Sequence, residues 1–452
     1  MMEAHLSLNP LDAPHRLQAS PFSTVESKSY AHRFLIAAAL ADRQSIVRLR
    51  SRSDDILATV RVLQAMGAEI VDCKDLFVVT PIPRATMTNT VIEADCGESG
   101  TTLRLLLPVA AALGQSVTFT GHGRLPERPL SPLTDVMAKH GLALTRLNGL
   151  PLTVAGKMSA GHWSLPANVS SQFVSGLLFA FSVTEGISRL TLTERIESAP
   201  YIALTVDVLR LFGTKIDYND RSQTFTVEGR SRFTGPCSPV TVEGDWSNAA
   251  FWCAAAGLMA RQEKTDILLP VDNLSLTSRQ GDRAILDILR RYGIGSTPAA
   301  DGFRFHFEPK ALENVNEVMI DVSQTPDLLP VAALFAAQFP VKTRMTGAAR
   351  LRLKESDRLE TVAALLCALG LEAVTDRDSL SFTGGPLKNN LTVSSHHDHR
   401  LVMAAALTLF ANVHDGQERR ITVLEPDAVN KSYPDFFEHL ALTGAHLTLK
   451  NY

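Results

Sequence analysis

Disulfides, membrane spans and a strong net charge are what this chain of 452 residues lacks. Its five cysteines, Cys73, Cys96, Cys237, Cys253 and Cys367, are scattered, odd in number and contain no CxxC pair. That argues against a disulfide framework or a zinc knuckle and points to a reducing, cytoplasmic setting. No apolar run approaches the roughly 20 residues of a transmembrane helix, so no membrane anchor is expected. The opening residues, Met1-Met2-Glu3-Ala4-His5, have no basic segment leading into an apolar stretch, so no signal peptide is expected either. A formal net charge of −3 gives no global basic field and argues against nucleic acid as a partner. Any anion site must be a local concentration of lysine and arginine.

What the chain does have is a repeat. Amphipathic stretches end at Gly67, Gly141, Gly213, Gly293, Gly370 and Gly444, which by subtraction lie 74, 72, 80, 77 and 74 residues apart. Glycine just past a helix accepts positive φ without a Cβ clash. Six at near-constant spacing indicate one structural unit used six times. Strands follow the glycines, with tight turns expected at Asn148-Gly149 and Asp301-Gly302. A second type of helix is apolar on every side and therefore buried: residues 32–40, 103–113, 173–181, 249–259, 328–337 and 401–410. Each unit reads strand, buried helix, strand, surface helix, two strands.

The expected fold class is α/β, as two domains of three βαβαββ units each. After Gly444 only one strand's length of chain remains, so the last unit is incomplete. Residues Met1 to Pro10 could supply its missing strand. That makes residues 25–241 the N-terminal domain and residues 1–24 plus 242–452 the C-terminal one, with two hinge crossings. Two domains with their own cores need no partner, so a monomer is expected.

The starts of the helices carry the chemistry. They read Glu26-Ser27-Lys28-Ser29 with Arg33, Gly97-Glu98-Ser99-Gly100-Thr101 with Arg104, Glu127-Arg128-Pro129, Ser170-Ser171-Gln172, and Ser198-Ala199-Pro200-Tyr201. Later come Gly244-Asp245, Thr325-Pro326-Asp327, Lys354-Glu355-Ser356-Asp357-Arg358, Asp398-His399-Arg400 and Asn430-Lys431. Free N–H groups at a helix start receive phosphate and carboxylate. Capping explains each serine or aspartate singly. It does not explain eight cations at the same ends, because a cation opposes the dipole there unless an anion joins it. Asp327 opens an apolar helix and Glu355 adjoins Lys354; a half-buried carboxylate amid cations can act as a general base. No P-loop or dinucleotide fingerprint is present. No metal is expected, since Arg400 adjoins His396, His397 and His399 and no matching ligand set accompanies them.

These motifs, in order from residue 28 to residue 435 and joined by Glu243-Gly244-Asp245, Gln280-Gly281-Asp282 and Tyr433-Pro434-Asp435, resemble the 5-enolpyruvylshikimate-3-phosphate (EPSP) synthase family of enolpyruvyl transferases. The resemblance implies two inside-out α/β domains joined by a two-stranded hinge. It implies transfer of the enolpyruvyl group of phosphoenolpyruvate to the 5-hydroxyl of shikimate 3-phosphate by addition and elimination, without a cofactor. By resemblance, Lys28, Ser29, Arg33, Ser170, Ser171, Gln172, Ser198, Tyr201, Asp327 and Lys354 hold shikimate 3-phosphate. Lys28, Gly100, Arg128, Gln172, Arg358, Arg400 and Lys431 hold phosphoenolpyruvate. Asp327 takes the hydroxyl proton, and Glu355 and Lys28 exchange protons at the enol carbons. The N-terminal domain is then mainly the shikimate 3-phosphate side, and the C-terminal domain the phosphoenolpyruvate and acid/base side.

Three positions depart from the family pattern. Glu98 stands where asparagine is common, Ala199 replaces a frequent lysine, and Arg350 lies where a neutral polar residue is usual. The sister transferase acting on UDP-N-acetylglucosamine fits less well. It would call for Lys-Asn at the first motif and a cysteine near Arg128, whereas Ser29 follows Lys28 and residues 121–132 contain no cysteine. A non-catalytic phosphate-binding scaffold would have no use for Asp327 and Glu355.

Overall fold

The computed structural model describes residues 2–9, 13–20, 22–83, 90–229, 233–313, 315–411 and 418–451. Met1, Pro10 and Tyr452, which the sequence reading placed in terminal strands, lie outside the described residues. The chain divides into two compact units, Glu26–Glu243, and Met1–Val25 with Gly244–Tyr452.

In the unit Glu26–Glu243, three helices apolar on all sides form the centre: Lys28–Leu40, Gly100–Leu113 and Ser171–Val183. Residues 31–40 are all buried: the helix is apolar on every side from Phe34 onward, and His32 and Arg33 at its start turn inward as well. Helices 100–113 and 171–183 approach closely at Gly176, where a Cβ would lie 2.5 Å from the Arg104 carbonyl oxygen. Amphipathic helices Asp54–Ala65, Leu133–Lys139 and Ala199–Leu211 accompany them. They end at Gly67, Gly141 and Gly213, all with φ between +81° and +106°. Each sheet has four strands. In the middle one, Ile92–Asp95 runs parallel to Val117–Thr120, which pairs antiparallel with Leu152–Ala155. The first sheet takes its parallel strand, Val240–Thr241, from the far end of the unit, beside Ser45–Arg48.

The other unit repeats the scheme with buried helices Trp246–Glu263, Leu329–Ala336 and His399–Leu407. Gly293, Gly370 and Gly444 again have positive φ, +76°, +97° and +88°. Strand Met2–Leu8 lies between Arg419–Leu424 and His446–Asn451, antiparallel to both, so the N-terminal segment completes the last sheet. Each unit has its own continuous apolar core. Helices inside and sheets outside give the inside-out α/β fold expected from the sequence. Among the described residues no helix is long and apolar enough to cross a membrane.

The six units are less alike than the glycine spacing implied. The sheet holding Ile267–Leu269 has three strands, and its expected parallel strand shrinks to a single bridge between Phe22 and Val271. The Asn273 side chain takes over the ladder: its Oδ1 accepts from Thr24 N at 3.0 Å and its Nδ2 donates to the Thr24 carbonyl. The turn expected at Asp301-Gly302 falls on Ala300-Asp301, since Ala299 pairs with Gly302. Gly302 opens the return strand at φ +149°, where a Cβ would lie 2.1 Å from the Leu269 carbonyl oxygen. Close strand approach, rather than the turn, requires that glycine.

Candidate functional site

Three expected helix starts are 3₁₀ turns. Arg128 caps the turn Leu125–Glu127, and the helix proper starts only at Leu133. Asp327 lies in Pro326–Leu328, which runs straight into helix Leu329–Ala336, and Lys431 ends Pro426–Lys431, whereas the segment from Lys354 leads as expected into helix Arg358–Ala368, capped by Asp357. All three turns carry a proline at their first or second position, where its missing N–H and fixed φ favour a short turn. The helix-dipole argument therefore does not apply to Arg128 and Lys431, several residues ahead of the helices that start at Leu133 and Phe436.

In the unit Glu26–Glu243, Ser27 caps the helix that starts at Lys28. Lys28 Nζ donates to Asp55 Oδ2 at 2.8 Å, a carboxylate in the first turn of the next helix. Asp55 was not singled out from sequence, because Ser53-Asp54-Asp55 reads as an ordinary cap. Arg33 is 2% exposed and aims inward. Its Nε donates to Thr205 Oγ1 at 2.7 Å, and its two other nitrogens donate to the carbonyls of Ser29 and Tyr201 at 2.7 and 2.9 Å. Burial among neutral acceptors pulls its pKa down to about 10. Among the described residues no carboxylate pairs with this buried cation.

Gln172 joins two helices: its Nε2 donates to Thr101 Oγ1 at 2.7 Å, and its Oε1 accepts from Arg104 Nη1 at 2.9 Å. Ser170 caps that helix, and Ser171 begins it. Gly100 lies directly under Arg128, where a Cβ would meet the guanidinium at 2.8 Å. Ser198 adopts a left-handed conformation, φ +55°, just before helix 199–211, on whose first turn Tyr201 sits. Behind these groups runs a buried chain that periodicity could not reveal. His32 Nδ1 meets Thr59 Oγ1 at 2.6 Å, Thr59 meets Thr102 at 2.7 Å, and Thr102 donates to Ser99 Oγ at 2.8 Å. Burial, with Lys28 and Arg33 nearby, holds the His32 pKa well below its usual value, so the ring is neutral.

The other unit gathers carboxylates and cations more tightly. Arg358, 1% exposed, donates to Asp398 Oδ2 at 2.8 Å, Asp327 Oδ1 at 2.6 Å and Glu355 Oε2 at 2.8 Å. Burial alone would lower its pKa, but Asp398, Glu355 and Asp327 together raise it well above the ordinary arginine value. Asp398 is fully buried, caps helix 399–407 and also holds Arg358, so its role exceeds the simple cap. Lys354 Nζ lies 3.4 Å from Asp327 Oδ1, and Arg400 Nη2 lies 3.6 Å from Asp327 Oδ2. Burial pushes the Asp327 carboxyl up, yet Lys354, Arg400 and Arg358 hold it well below the usual carboxylate range. One fifth of its side chain still reaches solvent. Lys431 Nζ donates to the His397 carbonyl at 2.8 Å, just ahead of Asp398.

Of the residues that depart from the family pattern, Arg350 donates to the Ser323 carbonyl at 2.8 Å, and Glu98 lies 3.8 Å from His122. His396 and His397 are exposed whereas His399 is buried, and among the described residues no three His, Cys, Asp or Glu side chains gather as a metal ion would need. Chemically, each unit presents cations partly balanced by its own carboxylates. Such a surface accepts an incoming anion by exchange and offers a carboxylate for proton transfer.

A sequence model described as EPSP synthase (3-phosphoshikimate 1-carboxyvinyltransferase) matches residues 13–440. The 3-phosphoshikimate 1-carboxyvinyltransferase of Halobacterium salinarum is 36% identical over 446 residues, 98% of this chain and 99% of that protein. That of Clostridium acetobutylicum is 35% identical over 421 residues, 92% and 93% of the two chains. Among solved structures, EPSP synthase from Acinetobacter baumannii matches with a TM-score of 0.74 at 21% identity, covering 99% of this chain and 100% of that one. The enolpyruvyl transferase NikO from Streptomyces tendae matches at 0.70 and 19% identity, over the full length of both. At these identities the structures speak to the fold alone.

Proposed function

The chain belongs to the EPSP synthase family, and from that premise we propose how its residues carry out the reaction. The enzyme transfers the enolpyruvyl group of phosphoenolpyruvate to the 5-hydroxyl of shikimate 3-phosphate and releases phosphate, a step of aromatic amino acid biosynthesis through chorismate. Ser29, Arg33, Ser170, Ser171, Gln172, Ser198 and Tyr201 in the unit Glu26–Glu243, and Lys354 and Asp327 in the other, are the groups that take shikimate 3-phosphate. The uncompensated charge of buried Arg33 supports an anion on that side. Lys28, Gly100, Arg128, Gln172, Arg358, Arg400 and Lys431 take the phosphate and carboxylate of phosphoenolpyruvate. Bidentate guanidinium groups suit both.

The observation that carries the reading is Asp327 held by Arg358, Lys354 and Arg400. In the free enzyme those cations keep it ionised but weakly basic. When substrate anions engage the same cations, the carboxylate loses part of its stabilisation and becomes a better base. Asp327 then removes the hydroxyl proton as that oxygen bonds to C2 of phosphoenolpyruvate. Glu355 or Lys28 protonates C3. In the elimination the same groups take a proton back from C3 as phosphate leaves and the double bond re-forms. No cofactor is needed. We further propose that the enzyme acts as a cytoplasmic monomer, since each unit has its own core.

The test is phosphate release from phosphoenolpyruvate dependent on shikimate 3-phosphate. No release above background would overturn the function. A second measurement bears on the phosphoenolpyruvate assignment. Gly100→Ala places a methyl 2.8 Å from the Arg128 guanidinium. The far end of a long side chain can move, so the thermal midpoint should hold. Misplacing that group should raise the KM for phosphoenolpyruvate about tenfold to a hundredfold. An unchanged KM would remove Arg128 from the site.

A further inference from the structure

The Gln280-Gly281-Asp282 motif has no task in the reaction as described, yet it connects directly to it. Gln280 clamps the opening of helix Trp246–Glu263: its Oε1 accepts from Trp246 N at 3.0 Å and its Nε2 donates to the Gly244 carbonyl at 2.8 Å. Asp282, 2% exposed, accepts a hydrogen bond from the hydroxyl of Ser247, the second residue of that helix. The Ser247 carbonyl accepts from Arg400 Nη1 at 3.1 Å. Arg400, 3% exposed, keeps its Nη2 at 3.6 Å from Asp327. One buried chain thus runs Asp282, Ser247, Arg400, Asp327 across four segments far apart in sequence. The last gap is longer than a hydrogen bond. Arg400 and Asp327 thus lie within ion-pair range without a hydrogen bond between them, where buried opposite charges attract strongly.

Asp282 bears on that gap in two ways. It fixes the residue whose carbonyl holds Arg400, and its own charge attracts the guanidinium, as does that of Asp245. Burial and the nearby Asp327 push the Asp282 carboxyl up to about 6, while Arg400 and Ser247 oppose the shift, so it is largely ionised near neutrality.

We propose that Asp282 is the positioning residue for Arg400. Through Ser247 and by its charge, it keeps Arg400 from collapsing onto Asp327, so that the guanidinium is available for phosphoenolpyruvate and the carboxylate for the proton. The proposal rests on the reading that Arg400 holds phosphoenolpyruvate. Asp282→Asn keeps an acceptor for Ser247 and removes the charge. It should raise the KM for phosphoenolpyruvate about tenfold, with the KM for shikimate 3-phosphate within about twofold of wild type. In an Arg400→Lys background the same change should add no more than about twofold, because the residue it acts through is already altered.

Steady-state kinetics on the four enzymes, with thermal unfolding of each, decide the matter. If Arg400→Lys raises the phosphoenolpyruvate KM and Asp282→Asn does not, the positioning role fails while the Arg400 assignment stands. If Arg400→Lys leaves that KM unchanged, the Arg400 assignment itself fails. Equal rises in both KM values with a lowered thermal midpoint would make Asp282 a merely structural residue and overturn the proposal. Should Asp282→Asn not fold, Ser247→Ala tests the same link. It removes the hydroxyl and keeps the carbonyl, and a phosphoenolpyruvate KM equal to wild type would overturn the proposal.

Discussion

Asp327→Ala should reduce turnover by about a hundredfold to ten-thousandfold, the range over which a well-placed general base contributes. Affinity for phosphoenolpyruvate should not fall with it. Asp327 occupies donors of Arg358 and lies near Lys354 and Arg400. Its removal frees those cations for the substrate's own phosphate and carboxylate. The expected signature is a collapse of kcat with a phosphoenolpyruvate KM equal to or below wild type, read by steady-state phosphate release. Asp327→Asn, which keeps the shape and accepts from Arg358 without charge, should lose turnover similarly. Turnover within tenfold of wild type for either variant would remove Asp327 as the base.

Arg358→Met should lower folding stability by about 3–5 kcal/mol, the usual consequence of removing one partner from a buried ion pair. The cause is Asp398, which is fully buried and receives two of the arginine's nitrogens. Methionine leaves that carboxylate without its cation, while Ser356 Oγ at 3.0 Å is too little to replace it. Adding Asp398→Asn should restore part of the loss, since the double variant no longer buries an unpaired charge. Denaturant unfolding of the single and double variants measures both. The sign with pH follows from Asp327, whose pKa is depressed in the folded protein. Its share of the stability is complete above about pH 4, the unfolded carboxylate value, and is lost as acid carries the pH through the folded value. The difference between wild type and Arg358→Met should therefore narrow in acid.

Much of the architecture was legible in the residues. The six glycines all adopt positive φ, and the six helices apolar on every side are the buried ones. Periodicity and backbone sterics are local properties, so they survive in a one-dimensional reading. Less legible were the places where a neighbour remote in sequence overrides the local signal. Asn273 replaces a strand with a side chain, and Gly302 serves a close approach to Leu269 rather than a turn. At Arg128, Asp327 and Lys431 the sequence predicts helix starts where the chain makes 3₁₀ turns, because proline marks both.

The candidate site divides in the same way. Motif order pointed to the groups, because phosphate and carboxylate chemistry demands arginine, lysine and short polar residues wherever the fold places them. Which cation meets which carboxylate could not be read there. Lys28 with Asp55, and Arg358 with Asp398, are separated by 27 and 40 residues. Asp282 reaches Arg400 only through Ser247. By itself the sequence determined the repeat, the buried helices and the chemical inventory, since these depend on local geometry and residue type. Only the tertiary structure decided the pairings, the inward turn of Arg33 and the 3.6 Å gap between Arg400 and Asp327. Charges interact through space and according to burial, and neither is encoded by spacing along the chain.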